Sequence, residues 1–276
     1  YKLSGGKLWL LLPILMIITG VASAFLDNVT TMLLMTPISI QIAIALGINP
    51  LALLMPELLA SNVAGIATLE GTPTNILIGS YAGISFNDFL VNLTPGVVLA
   101  LIGLILYSEF IYRDELKKAS SISPVLLKKL EENGRITQPK QLKKAGVIGA
   151  IMLLMFVFGE QIELKPAVTA LIGATLMLVW IRPDIEKMIG SVDWTTLVFF
   201  VGLFVVVGAI QEVGLISVIA DIISNVVGDS MSLAMGVLLW SAAFLSSIVA
   251  NIPFTAAMLP VIRFLSSTIP GGESMA

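Results

Sequence analysis

The chain has 276 residues, of which 57% are hydrophobic and 12% charged, with a formal net charge of −3 and a mean hydropathy of +1.00; a soluble domain carries about 25% charged residues. With no cysteine and no histidine, disulfides, thiolate or imidazole metal sites and Cys/His nucleophilic catalysis are excluded, and any proton chemistry falls to carboxylates, lysines or tyrosines. Several apolar runs approach the ~20 residues that a helix needs to cross the hydrocarbon, so the expected fold is all-α and integral to the membrane.

The first apolar block, 8–26, runs into the polar cluster Asp27, Asn28, Thr30, Thr31, and a second block, 32–46, follows with no loop between them. Either one long helix carries a polar middle, or two legs meet at a polar tip inside the membrane, where non-helical backbone is tolerated only against protein or water. Gly47, Asn49 and Pro50 mark a turn. Segment 51–82 is apolar at both ends and broken at Thr68-Leu69-Glu70-Gly71-Thr72-Pro73-Thr74-Asn75, where glycine and proline disfavour a continuous helix. Residues 90–112 read as a plain spanning helix.

The stretch 113–144 holds nine of the fifteen Lys and Arg and a local net charge of +5. The positive-inside rule puts it in the cytoplasm, with room for a helix on the membrane surface. Three further spans follow at 145–158, 166–181 and 194–210, then an amphipathic segment, 215–227, suited to the interface. The last block, 233–265, is apolar with a polar middle: Ser246, Ser247, Asn251, Pro253, Thr255. Counting crossings from the basic loop makes the two polar-tipped blocks enter from opposite faces, as in an inverted repeat. The tips also match locally: Pro37 and Pro260 follow Asn28 and Asn251 by nine residues, Met35 and Met258 by seven, and Ser23 and Ser246 precede them by five. The expected organisation is a first repeat over 1–112, a basic linker over 113–144 and a second repeat over 145–276.

An asparagine at such a tip offers an oxygen to a hard cation and an NH₂ to an anion, and broken helix ends add N–H groups and carbonyls for the same purposes; the plainer reading is that each asparagine caps a half-helix. Asp27 and Glu70 are carboxylates at membrane depth, expensive to keep charged and therefore candidates to carry an ion or proton. Glu57 reads either as a third such group or as an interfacial residue near a helix start. Asp88 and Asp193 read as capping or interfacial residues. Thr68, Thr72 and Asn75 have the oxygens to line the same site.

The run Ser23-Ala24-Phe25-Leu26-Asp27-Asn28-Val29-Thr30-Thr31, with Thr36-Pro37, resembles the first hairpin tip of the melanosomal P protein family. Asn251-Ile252-Pro253-Phe254-Thr255-Ala256 resembles the second, and 57–75 the broken helix between. That family belongs to the ion-transporter superfamily, with arsenite permeases, sodium/proton antiporters and divalent-anion symporters. The resemblance implies re-entrant hairpins, an elevator motion, a homodimer in the plasma membrane, and a small anion moved with sodium or protons rather than an enzyme reaction; a sodium/proton antiporter, an arsenite efflux permease and an anion channel are the alternatives. It implies ion binding at Asn28, Thr30, Gly71, Thr72 and Asn75, mirrored at Asn251 and Thr255; the reading of the residues adds Asp27, Thr31, Thr68, Glu70 and Ser247 to the candidate site, with sodium expected at Asn28, Gly71, Asn75 and Asn251. Lipid and a small anion are the expected partners; nucleic acid and further cofactors are not. Two departures stand out: Ala250 replaces the usual acidic residue before the second asparagine, and Glu70-Gly71-Thr72-Pro73-Thr74-Asn75 places its carboxylate two positions before the usual one. Because complete members carry helices before the first hairpin and a second broken helix after the last, the protein is expected to extend beyond both ends of this sequence.

Overall fold

The computed structural model describes residues 8–118, 138–162, 164–215 and 230–268, together with 218, 221–223, 225 and 228. Among the described residues the regular elements are all helical, as expected where lipid offers no partner for backbone polar groups. Most of the 215–227 segment and of the basic linker lies outside the described residues.

The chain groups into two compact units, Tyr1–Asn75 with Ser85–Pro183, and Ile76–Ile84 with Asp184–Ala276. In the first, α1 (Leu8–Phe25) and α2 (Asn28–Leu46) are separate helices, so 8–46 is not one long helix with a polar middle. Gly47 ends α2 in the left-handed conformation (φ 69°), which glycine adopts without a steric cost. α3 (Leu51–Gly65) then returns between the legs. Thr19 pairs with Glu57 and Ser23 with Ser61, the same offset of 38 residues one turn apart, so α3 runs parallel to α1. Partners on α3 move from Asn62 back to Glu57 as α2 advances from Asn28 to Ser39, so α2 runs antiparallel. Leu11, Leu12, Leu15, Met16, Ile42, Ala43, Leu46 and Leu53 close the base of this three-helix group.

After the break come α4 (Pro73–Ala82) and α5 (Phe86–Ile111). α5 begins four residues before the expected span because Ser85 and Asp88 form a reciprocal capping box. Val91, Leu99, Leu106 and Phe110 of α5 are each more than 60% exposed, an apolar face open to lipid or to further protein. α6 (Arg113–Lys118) is short and charged, and its Glu115 accepts from the Asn49 backbone N–H (3.2 Å) and from Lys118 Nζ (2.7 Å), tying the end of α5 to the α2–α3 turn. α7 (Pro139–Phe158) starts inside the basic stretch, with Pro139 at its first turn, and packs on α8 (Pro166–Ile181), where Gly173 leaves room for Met152.

The second unit contains α9 (Ile185–Gly190), α10 (Trp194–Glu212), α11 (Met231–Leu245) and α12 (Asn251–Thr268). Asp193 caps α10 through the Thr196 N–H and hydroxyl, and those two bonds hold its carboxyl below the usual carboxylate range. Ala234, Val261 and Leu265 join α11 to α12, with Ile210 of α10 against them.

Candidate functional site

The two polar tips are where the chain leaves helical conformation. In the first, α1 stops at Phe25 and α2 starts at Asn28. Asp27 is the N-cap, its Oδ1 accepting from the Thr30 N–H (3.0 Å) and its Oδ2 from the Thr30 hydroxyl. A carboxylate there meets both the unpaired N–H groups and the positive end of the α2 dipole. Asn28 donates from Nδ2 to Asn62 Oδ1 (2.6 Å), and Asn62 in turn donates to the Leu58 carbonyl (3.0 Å). Thr30 is exposed. Thr31, one residue on, is 1% exposed, and its hydroxyl has no partner among the described residues.

The break between α3 and α4 is held by a backbone crossing and one amide. A Cβ on Gly71 would lie 2.2 Å from the Gly65 carbonyl oxygen, and one on Gly65 would lie 2.9 Å from that of Gly71, so both positions require glycine. Asn75 directs Nδ2 at three carbonyls that α3 leaves unpaired as it ends: Gly65 (3.3 Å), Ile66 (3.2 Å) and Thr68 (2.7 Å). Two N–H bonds shared among three acceptors satisfy the orphaned C-terminal groups of a helix. Thr68 is buried; its hydroxyl donates to the Ala24 carbonyl at the end of α1 and accepts from the Gly71 N–H (3.1 Å). Thr72 pairs its hydroxyl with that of Thr74 (2.9 Å) and accepts from the Asn75 N–H (3.3 Å) at the start of α4. Glu70 is half-buried in this turn.

Hydrogen bonds thus link the break to the first tip: Thr68 reaches Ala24, and Asn62, on the last turn of α3, reaches Asn28. Asp27, Asn28 and Thr30 stand on one side of this junction and Thr68, Gly71, Thr72 and Asn75 on the other. Ser247, Asn251 and Thr255 belong to the second unit. There, α11 ends at Leu245, the Ser247 hydroxyl returns to the Phe244 carbonyl (2.6 Å), and α12 starts at an exposed Asn251. Ala250 precedes it with no side-chain oxygen, so the second tip lacks the carboxylate cap that Asp27 gives the first.

Two further groups come into view. Asn62 is the partner of Asn28, and Glu57 is fully buried, so the interfacial reading of Glu57 is corrected: Ser39 Oγ lies 2.7 Å and Thr19 Oγ1 3.4 Å from its carboxyl oxygens. The signal was available in the sequence as Thr19/Ser23 and Glu57/Ser61, two polar pairs at helical i,i+4 spacing in otherwise apolar runs.

Four helices among the described residues are long and apolar enough to cross a bilayer: Asn28–Leu46, Phe86–Ile111, Pro139–Phe158 and Trp194–Glu212. Together with the polar junction between α1, α2 and α3, they define an integral membrane protein. The chain belongs to the citrate transporter family, which matches it over residues 1–275. It is similar to an uncharacterized transporter of Mycobacterium tuberculosis, at 35% identity over 258 residues, covering 94% of this chain and 60% of that protein. A 46 kDa membrane protein of Mycobacterium leprae is 34% identical over 272 residues, covering 98% and 62% respectively. The human P protein is 28% identical over 342 residues, covering 96% of this chain and 41% of that protein, so the resemblance read from the two tips holds. The chain spans about 60% of the length of the mycobacterial relatives it matches.

Proposed function

We propose that the chain forms the core of a secondary active transporter that moves a small anion across a membrane, coupled to sodium or protons. The description of the matched family, citrate transporter, supports a small polycarboxylate of the citrate kind as that anion. The observation that carries this reading is the first tip: α2 begins at Asn28 beside the broken end of α3, with helix-terminal N–H groups, an amide and the unpartnered, buried hydroxyl of Thr31 in one region. Helix N-termini attract anionic groups, and unwound carbonyls attract sodium. The donor set suits sodium: it would be held by the Asn28 amide oxygen, the Thr31 hydroxyl and the second lone pairs of the Gly65, Ile66 and Thr68 carbonyls, whose first lone pairs serve Asn75. Such an ion would supply positive charge beside the anion. Elevator motion, entry of the hairpins from opposite faces, a homodimer, and a plasma-membrane location with 113–144 in the cytoplasm belong to the same proposal and rest on the resemblance and on the basic linker.

The test is uptake of labelled citrate into proteoliposomes under a sodium gradient, a pH gradient, both and neither, beside Asn28→Ala. Gradient-driven uptake should fall at least tenfold in the variant, since losing one hydrogen bond to a charged group costs ~1.5–3 kcal/mol and ~1.4 kcal/mol is tenfold. No uptake of citrate or another small anion under any gradient refutes the reading. A second reading, sodium/proton antiport, is favoured by Glu70, a half-buried carboxylate in the break with no hydrogen-bond or ionic partner among the described residues. Sodium-driven proton movement without any anion would establish it. Gradient-independent, non-saturating flux would instead indicate a channel, and arsenite movement alone an efflux permease.

A further inference from the structure

The three-helix group of the first unit encloses a column of polar side chains in otherwise apolar packing. From the tip inward it comprises the Asn28–Asn62 pair, then Ser23 with Ser61, then Thr19, Glu57 and Ser39; Thr19, Ser23, Ser39, Glu57 and Ser61 are each 0% exposed. Thr19 and Ser23 are one turn apart on α1, as are Glu57 and Ser61 on α3. The hydroxyls are therefore stacked between the tip and the carboxyl of Glu57.

Among the described residues Glu57 has no cation to answer it. α1 and α2 contain no Asp, Glu, Lys or Arg, and α3 contains no other. α5, the remaining helix against α3, carries only Asp88, engaged in its capping box, and Tyr107 and Glu109 near its far end. Beyond these helices lie the acids Asp27 and Glu70 at the tip and the break, and α6 at the base, whose Arg113, Lys117 and Lys118 each lie within 4.0 Å of Asp114 or Glu115. A buried carboxylate facing two hydroxyls, with no cation on any of these helices, has one economical source of neutrality, which is a proton. The geometry accommodates both states. Ionised, the carboxylate accepts from Ser39 Oγ and Thr19 Oγ1. Protonated, its own O–H donates to Ser39 Oγ, 2.7 Å away, while the Ser39 hydroxyl hydrogen turns to another acceptor.

We propose that Glu57 is a proton-binding residue built into the first hairpin: it takes up one exchangeable proton between the two legs and α3, and gives it up to the hydroxyl column that leads to the tip. The step is a proton transfer only, from hydronium to a carboxylate oxygen and back, and needs no other reactant. The proposal deepens the transport reading and rests on it for the proton's use in a cycle; the proton's residence on Glu57 is testable without transport.

The experiment is an infrared pH titration of the purified protein in lipid, followed at the carbonyl stretch of protonated carboxylic acids. The parent should show a band that bleaches as pH rises. The band should be lost in Glu57→Gln, kept in Glu70→Gln and shifted in frequency in Ser39→Ala, which removes the nearer hydrogen-bond partner. A parent without such a band, or a band unchanged in Glu57→Gln, overturns the proposal. If Glu57→Gln does not fold, Ser39→Ala decides: an unshifted band overturns it. Citrate uptake measured over the same pH range separates the two readings. Uptake whose pH dependence disappears in Glu57→Gln supports both. A titrating band in a protein that moves no anion leaves the proton site standing and removes the transport reading. Uptake without the band does the reverse.

Discussion

Replacing Gly71 with alanine is the sharpest perturbation of the break. The new Cβ would sit 2.2 Å from the Gly65 carbonyl oxygen and 2.8 Å from the Gly65 carbonyl carbon and Cα, against the roughly 3.5 Å at which such atoms rest. Both partners are backbone, so no side chain can swing aside, and the two strands of the crossing must part by about 1 Å. Forced overpacking costs about 1–3 kcal/mol. The carbonyl that must move is one of those holding Asn75 Nδ2, and a buried polar group left unmet costs about 1–3 kcal/mol more. The sum, about 2–6 kcal/mol, corresponds to a fall in melting temperature of roughly 5 °C or more at 2–4 °C per kcal/mol. Thermal unfolding of the purified protein in detergent measures it, with two companions. Gly65→Ala, whose nearest contacts are 2.9 Å and 3.1 Å, should fall by less, and Gly96→Ala, with nothing within 4 Å, should not fall. A Gly71→Ala protein melting within about 1 °C of the parent, or a series in another order, would refute the close crossing.

Three other outcomes follow from the same region and its base. Asn75→Asp should destabilise at least as much as Asn75→Ala, by about 3 kcal/mol, because a carboxylate cannot donate to the Gly65, Ile66 and Thr68 carbonyls; recovery of the parent melting temperature by Asp would show that only size matters there. Asp27→Ala should cost about 1 kcal/mol of stability as a lost N-cap, and Asp27→Ser should restore it; citrate uptake that stays low in the serine variant would mark a need for the charge beyond capping. Glu115 has its carboxyl held below the ordinary value of 4.5 chiefly by the Lys118 hydrogen bond, with the Asn49 N–H adding to it. A group whose folded value is depressed contributes stability above its unfolded value and loses it as pH falls through the folded one. Protection factors of the amides in α6 and the α2–α3 turn, corrected for the intrinsic pH dependence of exchange, should therefore fall only as pH drops below 4.5, and in Glu115→Gln they should stay level; protection lost on raising pH instead would contradict this.

Much of the architecture is legible because lipid penalises polar groups so heavily. The apolar runs announce the helices, and the chain leaves helical conformation where Asp27 and Asn28 interrupt such a run and again just before Asn251. Gly71 and Pro73 announce the break before α4. Helix ends outside the apolar runs are harder to read from hydropathy: α7 reaches back to Pro139 through Lys140, Lys143 and Lys144, whose charges lower the hydropathy of its first turns. Local chemistry would have served better at α5, since Ser85 and Asp88 spell the capping box three residues apart. What hydropathy could not supply is who faces whom. Asn62 and Glu57 look like incidental polar residues in α3 until α1 and α2 are laid against it.

That pairing has a physical reason. Between helices in lipid, the hydrophobic effect hardly discriminates one register from another, because the tails are as apolar as leucine, and packing and interhelical hydrogen bonds decide. In the packing between α1 and α3, Gly20 admits Ala60 and Ala64, since a Cβ there would lie 3.1 Å from the Ala64 Cβ; sliding α3 by one turn would lose that fit. It would also separate Glu57 from Thr19 and Ser39, Ser23 from the Ser61 carbonyl, and Asn62 from Asn28. The polar column and the Gly20 contact together therefore specify the seat of α3 within the hairpin, and the seat of α3 fixes where its broken end lies relative to the first tip. The same side chains that hold the fold in register thus place Thr68 on Ala24 and Asn62 on Asn28. A change in the charge of the column, at Glu57, acts on the contacts that position the junction.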